Sequence, residues 1–198
     1  MPSRSLPEPQ KRDAEATRKR ILDAAVEAFS TVGYPATGIR DVAALAGTST
    51  TLLLRYFGSK AGLFEAALRH CIPSERIETV TNDDFAQRVT RWISTEAIAT
   101  KLTMMIVLAS GESEIAELAA RVYAQTNIAP LAAFFGGADG TERATEVALL
   151  STGYIFLMRH MSLESCDDAQ REAITGWYQR TLEEIVKRPA SATMAEAK

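Results

Sequence analysis

The chain has 198 residues, 46% apolar and 24% charged, with a formal net charge of −3; this is an ordinary globular composition, which excludes a disordered or fibrous protein. Cations are concentrated at the front: residues 1–70 carry ten Lys or Arg against seven Asp or Glu, and residues 71–198 carry twelve against eighteen, which supports nucleic-acid contact only where those cations share a face. Cys71 and Cys166 have no metal-ligand spacing, no secretory signal precedes them, and no apolar run reaches the roughly 20 residues of a membrane span; reduced thiols in a cytoplasmic protein without a membrane segment are expected.

In chain order the pattern is helical almost throughout. Residues 1–12 are expected to form a disordered tail. Ile21, Ala25, Ala28, Phe29 and Val32 then line one face of a helix from about Ala14, which Gly33 ends. Ile39, Val42, Ala43 and Ala46 repeat the spacing over a short second helix closed by Gly47. Ser49 is a good N-cap for a third helix of about two turns ending before Gly58, and Ser59 caps a fourth with Leu63, Phe64, Ala67 and Leu68 inward.

Pro73 and the polar residues 79–84 mark a boundary. The spacing predicts longer helices beyond it: one capped by Asn82 or Asp83 and carrying Phe85, Val89 and Trp92, one with Ile98, Leu102, Met105, Ile106 and Ala109, and one with Ile115, Leu118, Ala119 and Val122 that Pro130 bends or ends. Residues 136–140 form a loop. Two helices, about 142–161 and 167–187, close the chain. The first is apolar around most of its circumference (Val147, Leu149, Leu150, Tyr154, Ile155, Phe156, Met158), so it needs cover on two sides, one of them from a partner. Residues 189–198 are expected to be a second disordered tail.

Two short helices joined through the tight Ala46-Gly47-Thr48 link, the second opened by a capping Ser, have the mechanics of a helix-turn-helix at about residues 38–57. At these residues the chain resembles the TetR family of regulators. The resemblance is carried by a string as a whole: Thr17-Arg18, Ile21-Leu22, Ala24-Ala25, Phe29, Gly33-Tyr34, Thr37, Ile39, Asp41-Val42-Ala43, Ala46-Gly47, Ser49, Tyr56-Phe57, Ser59-Lys60, Leu63 and Phe64. It implies an all-α protein, with a DNA-binding domain at residues 13–71 and a helical ligand-binding and dimerisation domain at 72–188. It also implies that Thr37, Gly38 and Arg40 lie beside phosphate, that Ser49, Thr50, Thr51, Leu52, Leu54, Arg55 and Tyr56 fall on the recognition helix, and that Lys60 opens the fourth helix near the DNA. Helix N-termini suit that role, because free N–H groups and the positive dipole end attract phosphate.

The chain departs from the family pattern at three positions. Gly38 replaces a Ser or Thr cap, Thr48 a Val in the turn, and Leu54 a Tyr that commonly reaches phosphate. Thr50, Thr51, Leu52 and Leu54 then make the recognition helix rich in methyl groups, with Arg55 its strong hydrogen-bonding cation. Such a face reads thymine methyls in the major groove, unless Leu52 or Leu54 packs against the first helix instead. The cluster Arg18, Lys19 and Arg20 either lies near the DNA backbone or is a solvated surface.

An aromatic and Met-rich set in the larger domain either lines an apolar cavity, as the resemblance implies, or fills its core; Trp92, Met105, Tyr123, Phe134 and Tyr154 are the ligand-contact candidates. The expected partners are operator DNA, a second copy joined through the last two helices, and a small effector that releases the DNA. An activator or a ligand-independent regulator on the same fold is the alternative. An enzyme is not expected, since no nucleophile–base set, paired carboxylates, metal cluster or glycine-rich fingerprint is present and no cofactor is implied.

Overall fold

The computed structural model describes residues 8–72, 79–95, 97–161 and 166–189. Positions 1–7 and 190–198 of the two expected tails lie outside these described residues. All regular structure among the described residues is helical: α1 (Glu8–Ala36), α2 (Ile39–Leu45), α3 (Thr50–Phe57), α4 (Lys60–His70), α5 (Phe85–Thr95), α6 (Ala97–Ala109), α7 (Ser113–Tyr123), α8 (Ala129–Phe135), α9 (Gly140–Tyr154) and α10 (Asp168–Lys187). No single one of these helices is long and apolar enough to cross a membrane.

Most expected boundaries fall within a few residues of these, and the differences have local causes. α1 begins at Glu8 rather than near Ala14, so part of the expected tail is helical. Its regular path breaks at Gly33, where φ is +79°, a left-handed conformation that costs a glycine little. The Gly33 carbonyl accepts both the Thr37 amide at 3.2 Å and the Thr37 hydroxyl at 2.7 Å, which closes the last turn. Asp84, rather than Asn82 or Asp83, organises the entry to α5: its carboxylate accepts from the amide and hydroxyl of Thr81 at 2.8 and 3.1 Å, the back-reaching half of a capping box. α7 ends at Tyr123, well ahead of Pro130. A π-helical turn at Ala124–Ile128 carries the chain into α8, and the proline sits in the first turn of that helix, where its missing N–H is not needed. A second π-helical segment, Ile155–His160, prolongs α9.

Two apolar cores hold the helices. The first joins Ile21, Phe29, Val42, Leu53, Leu63, Phe64 and Leu68 of α1–α4 to Leu102, Met105 and Ala109 of α6 and to Ile115, Leu118 and Val122 of α7. The second gathers Phe85 and Ile93 of α5, Val147 of α9, Ile155, and Tyr178, Leu182 and Ile185 of α10. The core under the first four helices extends past Pro73 through α6 and α7. A buried ion pair staples the far end of the second core, where Arg143 meets Asp139 at 2.9 Å and donates to the Arg188 carbonyl at 2.6 Å.

The last two helices leave apolar surface uncovered. Leu149 is 70% exposed, Leu157 46% and Trp177 51%, while Tyr178, Leu182 and Ile185 face inward. The apolar residues of α10 are therefore divided between two faces, with Trp177 pointing away from the core that its neighbours build.

Candidate functional site

The start of α3 is set by Ser49, whose hydroxyl oxygen accepts the Leu52 amide at 3.2 Å. Leu53 anchors the helix, fully buried against the first core. With Leu53 inward, helical geometry turns Thr51, Leu54 and Arg55 outward, and all three are exposed, as is Ser49. Thr50, Leu52 and Tyr56 are half-buried at the edges of that face. Leu54, 40% exposed, is not consumed by packing on the first helix.

Around α3 lie the expected phosphate-side residues. Arg40 is exposed on α2. Gly38 caps that helix without a side chain, and the Asp41 carboxylate compensates by accepting the Gly38 amide at 3.2 Å. Thr37 departs from expectation: it is buried, with its hydroxyl committed to Gly33, so the side chain closes α1 and does not face outward. Lys60 extends from the first turn of α4 to a point 4.3 Å from the Tyr34 ring centre and 3.4 Å from the Pro35 carbonyl oxygen. Partial burial there lowers its pKa, with Glu112 opposing the change, and burial together with Glu112 and Glu114 raises that of Tyr34.

The basic cluster of α1 is partly used within the molecule. Arg18 lies 5.5 Å from the Phe57 ring centre, joining α1 to the end of α3, and Lys19 pairs with Asp23 at 2.8 Å. Asp23 also meets His70 at 2.8 Å, so the last turn of α4 is tied to α1. Burial pulls the Asp23 carboxyl upward, but hydrogen bonds and charge from Lys19 and His70 outweigh it and leave the pKa lowered.

Between the two cores is a cavity of about 730 Å³, lined from α4, α5, α6, α7, the first π-helical turn, α8 and α9. Trp92 and Tyr123 line it as expected. Three other candidates do not, and each has a packing reason. Met105 is fully buried in the first core. Phe134 stacks on Phe85 at 5.1 Å and meets Phe135 at 5.3 Å. Tyr154 donates or accepts between Thr175 at 2.8 Å and Ser94 at 3.3 Å, with its ring 4.9 Å from that of Tyr178. Sequence reasoning missed the polar part of the lining, including Arg69, Arg88, Arg91, Thr103 and Asn127. The helical stripe Arg88, Trp92, Thr95 was the available signal, since it puts an arginine on the face that carries the tryptophan.

Comparisons with known proteins agree with this arrangement. A family profile described as "Bacterial regulatory proteins, tetR family" matches residues 21–67, and one described as "Tetracyclin repressor-like, C-terminal domain" matches residues 89–186. The chain is 44% identical over 61 residues to the HTH-type transcriptional regulator RutR of Escherichia coli strain K12, a match covering 31% of this chain and 29% of RutR. The match therefore spans less than a third of that relative's length. Among solved structures, a putative TetR-family transcriptional regulator from Rhodococcus sp. aligns with a TM-score of 0.69 at 18% identity, over 87% of this chain and 100% of that one. NalD, the secondary repressor of the MexAB-OprM multidrug efflux pump in Pseudomonas aeruginosa, aligns with a TM-score of 0.60 at 18% identity, over 86% of this chain and 96% of that one. An N-terminal helix-turn-helix unit matched by one family profile, and a helical bundle enclosing a cavity matched by the other, establish that this chain belongs to the TetR family of helix-turn-helix transcriptional regulators.

Proposed function

We propose that this chain is a repressor that binds a near-palindromic operator as a homodimer and leaves it when a small, apolar-bodied effector enters the cavity. The observation that carries the reading is α3: capped by Ser49, anchored by Leu53, and presenting Thr51, Leu54 and Arg55 to solvent with Arg40 nearby on α2. In this reading α3 enters the major groove. Arg40, Lys60 and the amides at the start of α2 beside Gly38 meet phosphate, while Thr50, Thr51, Leu52, Leu54, Arg55 and Tyr56 reach toward bases and the adjoining backbone. Thr37 supports the turn from within.

The apolar surface of Leu149, Leu157 and Trp177 supports a symmetric partner, because a two-fold axis presents one self-complementary patch to itself. Two recognition helices related by that axis read inverted half-sites. Repression is supported by the fold shared with NalD, itself a repressor. The cavity supports an effector: a molecule that fits only the arrangement with misplaced recognition helices shifts the population toward it, by no more than its differential affinity for the two arrangements.

Selection of bound duplexes from a random pool by the full chain tests the DNA half of the reading. An inverted repeat with thymine at positions under Thr51 and Leu54 is expected. Bound sequences without inverted symmetry would refute dimeric readout, and half-sites lacking thymine throughout would remove the methyl-reading face.

A further inference from the structure

The charge lining the cavity is one-sided. Its described lining includes Arg69, Arg88 and Arg91 and neither Asp nor Glu. Arg69 is balanced by Glu65 at 2.9 Å and also donates to Gln125 at 2.8 Å. Arg88 is balanced by Asp84 at 3.6 Å and donates to the Thr79 carbonyl at 2.6 Å. The Arg91 guanidinium has no ion pair or hydrogen bond to any described residue. Among the described lining residues, two of the three cations are thus neutralised locally and Arg91 is not.

Charge and apolar surface are also separated in depth. The arginines are exposed or half-exposed, whereas Phe85, Ile93, Leu102 and Ile155 are buried. Arg88 and Arg91 lie three residues apart on α5 and share a face with Trp92. The cavity is therefore apolar within and cationic at its edge, and it has room for a drug-sized molecule.

We infer that the effector is an amphipathic monocarboxylate, its apolar body held among Phe85, Trp92, Leu102 and Ile155 and its carboxylate held by Arg91 beside Arg88. This inference rests on the effector reading above. A guanidinium matches a carboxylate through two parallel hydrogen bonds. Among the described lining residues a single anionic charge matches the cation left unbalanced, and an amine finds no carboxylate there.

Calorimetric titration of the full chain tests this with two apolar bodies, each as acid, methyl ester and amine: 1-pyrenebutanoate and dodecanoate with their counterparts. At least one acid is expected to bind about tenfold more tightly than its ester, with the amine weakest, the gain expected of one charge-assisted contact. Arg91→Gln, a substitution at an exposed position, is expected to abolish the preference for that acid over its ester. Esters or amines binding as tightly as the acids, or an Arg91→Gln protein with undiminished affinity for the acid, would overturn the carboxylate assignment and leave the effector reading standing. No heat of binding from any of the six probes would overturn both.

Discussion

The ammonium of Lys60 rests on the Tyr34 ring and the Pro35 carbonyl, which secures the start of α4 to the end of α1 beyond the Gly33 break and holds a cation beside the recognition helix. If phosphate is its second partner, Lys60→Ala weakens binding to every sequence, and the slope of log affinity against log salt falls by about one unit for each phosphate that is no longer neutralised. Fluorescence anisotropy over a salt series reads both effects; an unchanged slope with reduced stability would leave Lys60 as an internal brace alone. Cysteine chemistry separates two positions in a similar way. Cys71 is fully buried, and burial, aided by Asp23 and opposed by Lys101, pushes its thiol pKa up to about 12. Cys166 is half-exposed. A thiol-specific disulfide reagent at pH 8 is expected to titrate one cysteine per chain rapidly in the native protein and the second only in denaturant, because the thiolate is the reactive form; two rapid thiols would contradict this burial. At this scale the sequence was legible where chemistry is local. Ser49 and Ser59 accept the amides their capping roles predict. Thr37 was not legible, because whether its hydroxyl faces solvent or the Gly33 carbonyl depends on how the preceding helix breaks.

Among the elements, α4 approaches the end of α3 so closely that a Cβ built on Gly62 would collide with the Phe57 carbonyl oxygen. Backbone cannot yield as a flexible side chain does, so Gly62→Ala forces the two helices apart. It is expected to destabilise the fold by roughly 1–3 kcal/mol in denaturant titration, and to weaken operator binding at saturating stability because α3 is displaced. Wild-type stability in that variant would show that the close approach relaxes without cost. Helix positions could be read from spacing where a helix buries one stripe, as with Leu63, Phe64, Ala67 and Leu68. The cavity lining could not be read that way. Met105 and Leu102 lie on the same helix and both are buried, but only Leu102 borders the cavity. The difference is made by the elements facing α6, whose identity no local pattern carries. The exposed face of α9 was legible in outline, since a helix apolar around most of its girth exceeds what one bundle can cover, and Leu149 is the side chain left outside.

For the whole molecule, the decisive arrangement is that the recognition helix shares its core with α6 and α7. A fragment ending at residue 72 would expose the inner faces of α1 and α4, including Ile21, Phe29 and Leu68, which Leu102, Met105 and Leu118 help to cover. Such a fragment is expected to lack a cooperative thermal transition, whereas the full chain unfolds in one step that coincides by fluorescence and circular dichroism. A fragment melting as sharply as the intact protein would overturn the shared core. The cavity lies between this core and the one built by α5, α9 and α10, so an occupant touches both bodies, through Leu102 on one side and Phe85 on the other. The shared core also bears on engineering. A chimera that joins this reading head to a foreign sensor at the apparent boundary near residue 72 cuts through a packed interior; a graft that carries α6 and α7 with the head preserves it, and a synthetic switch built from these parts should take its seam from the packing, not from the order of the chain.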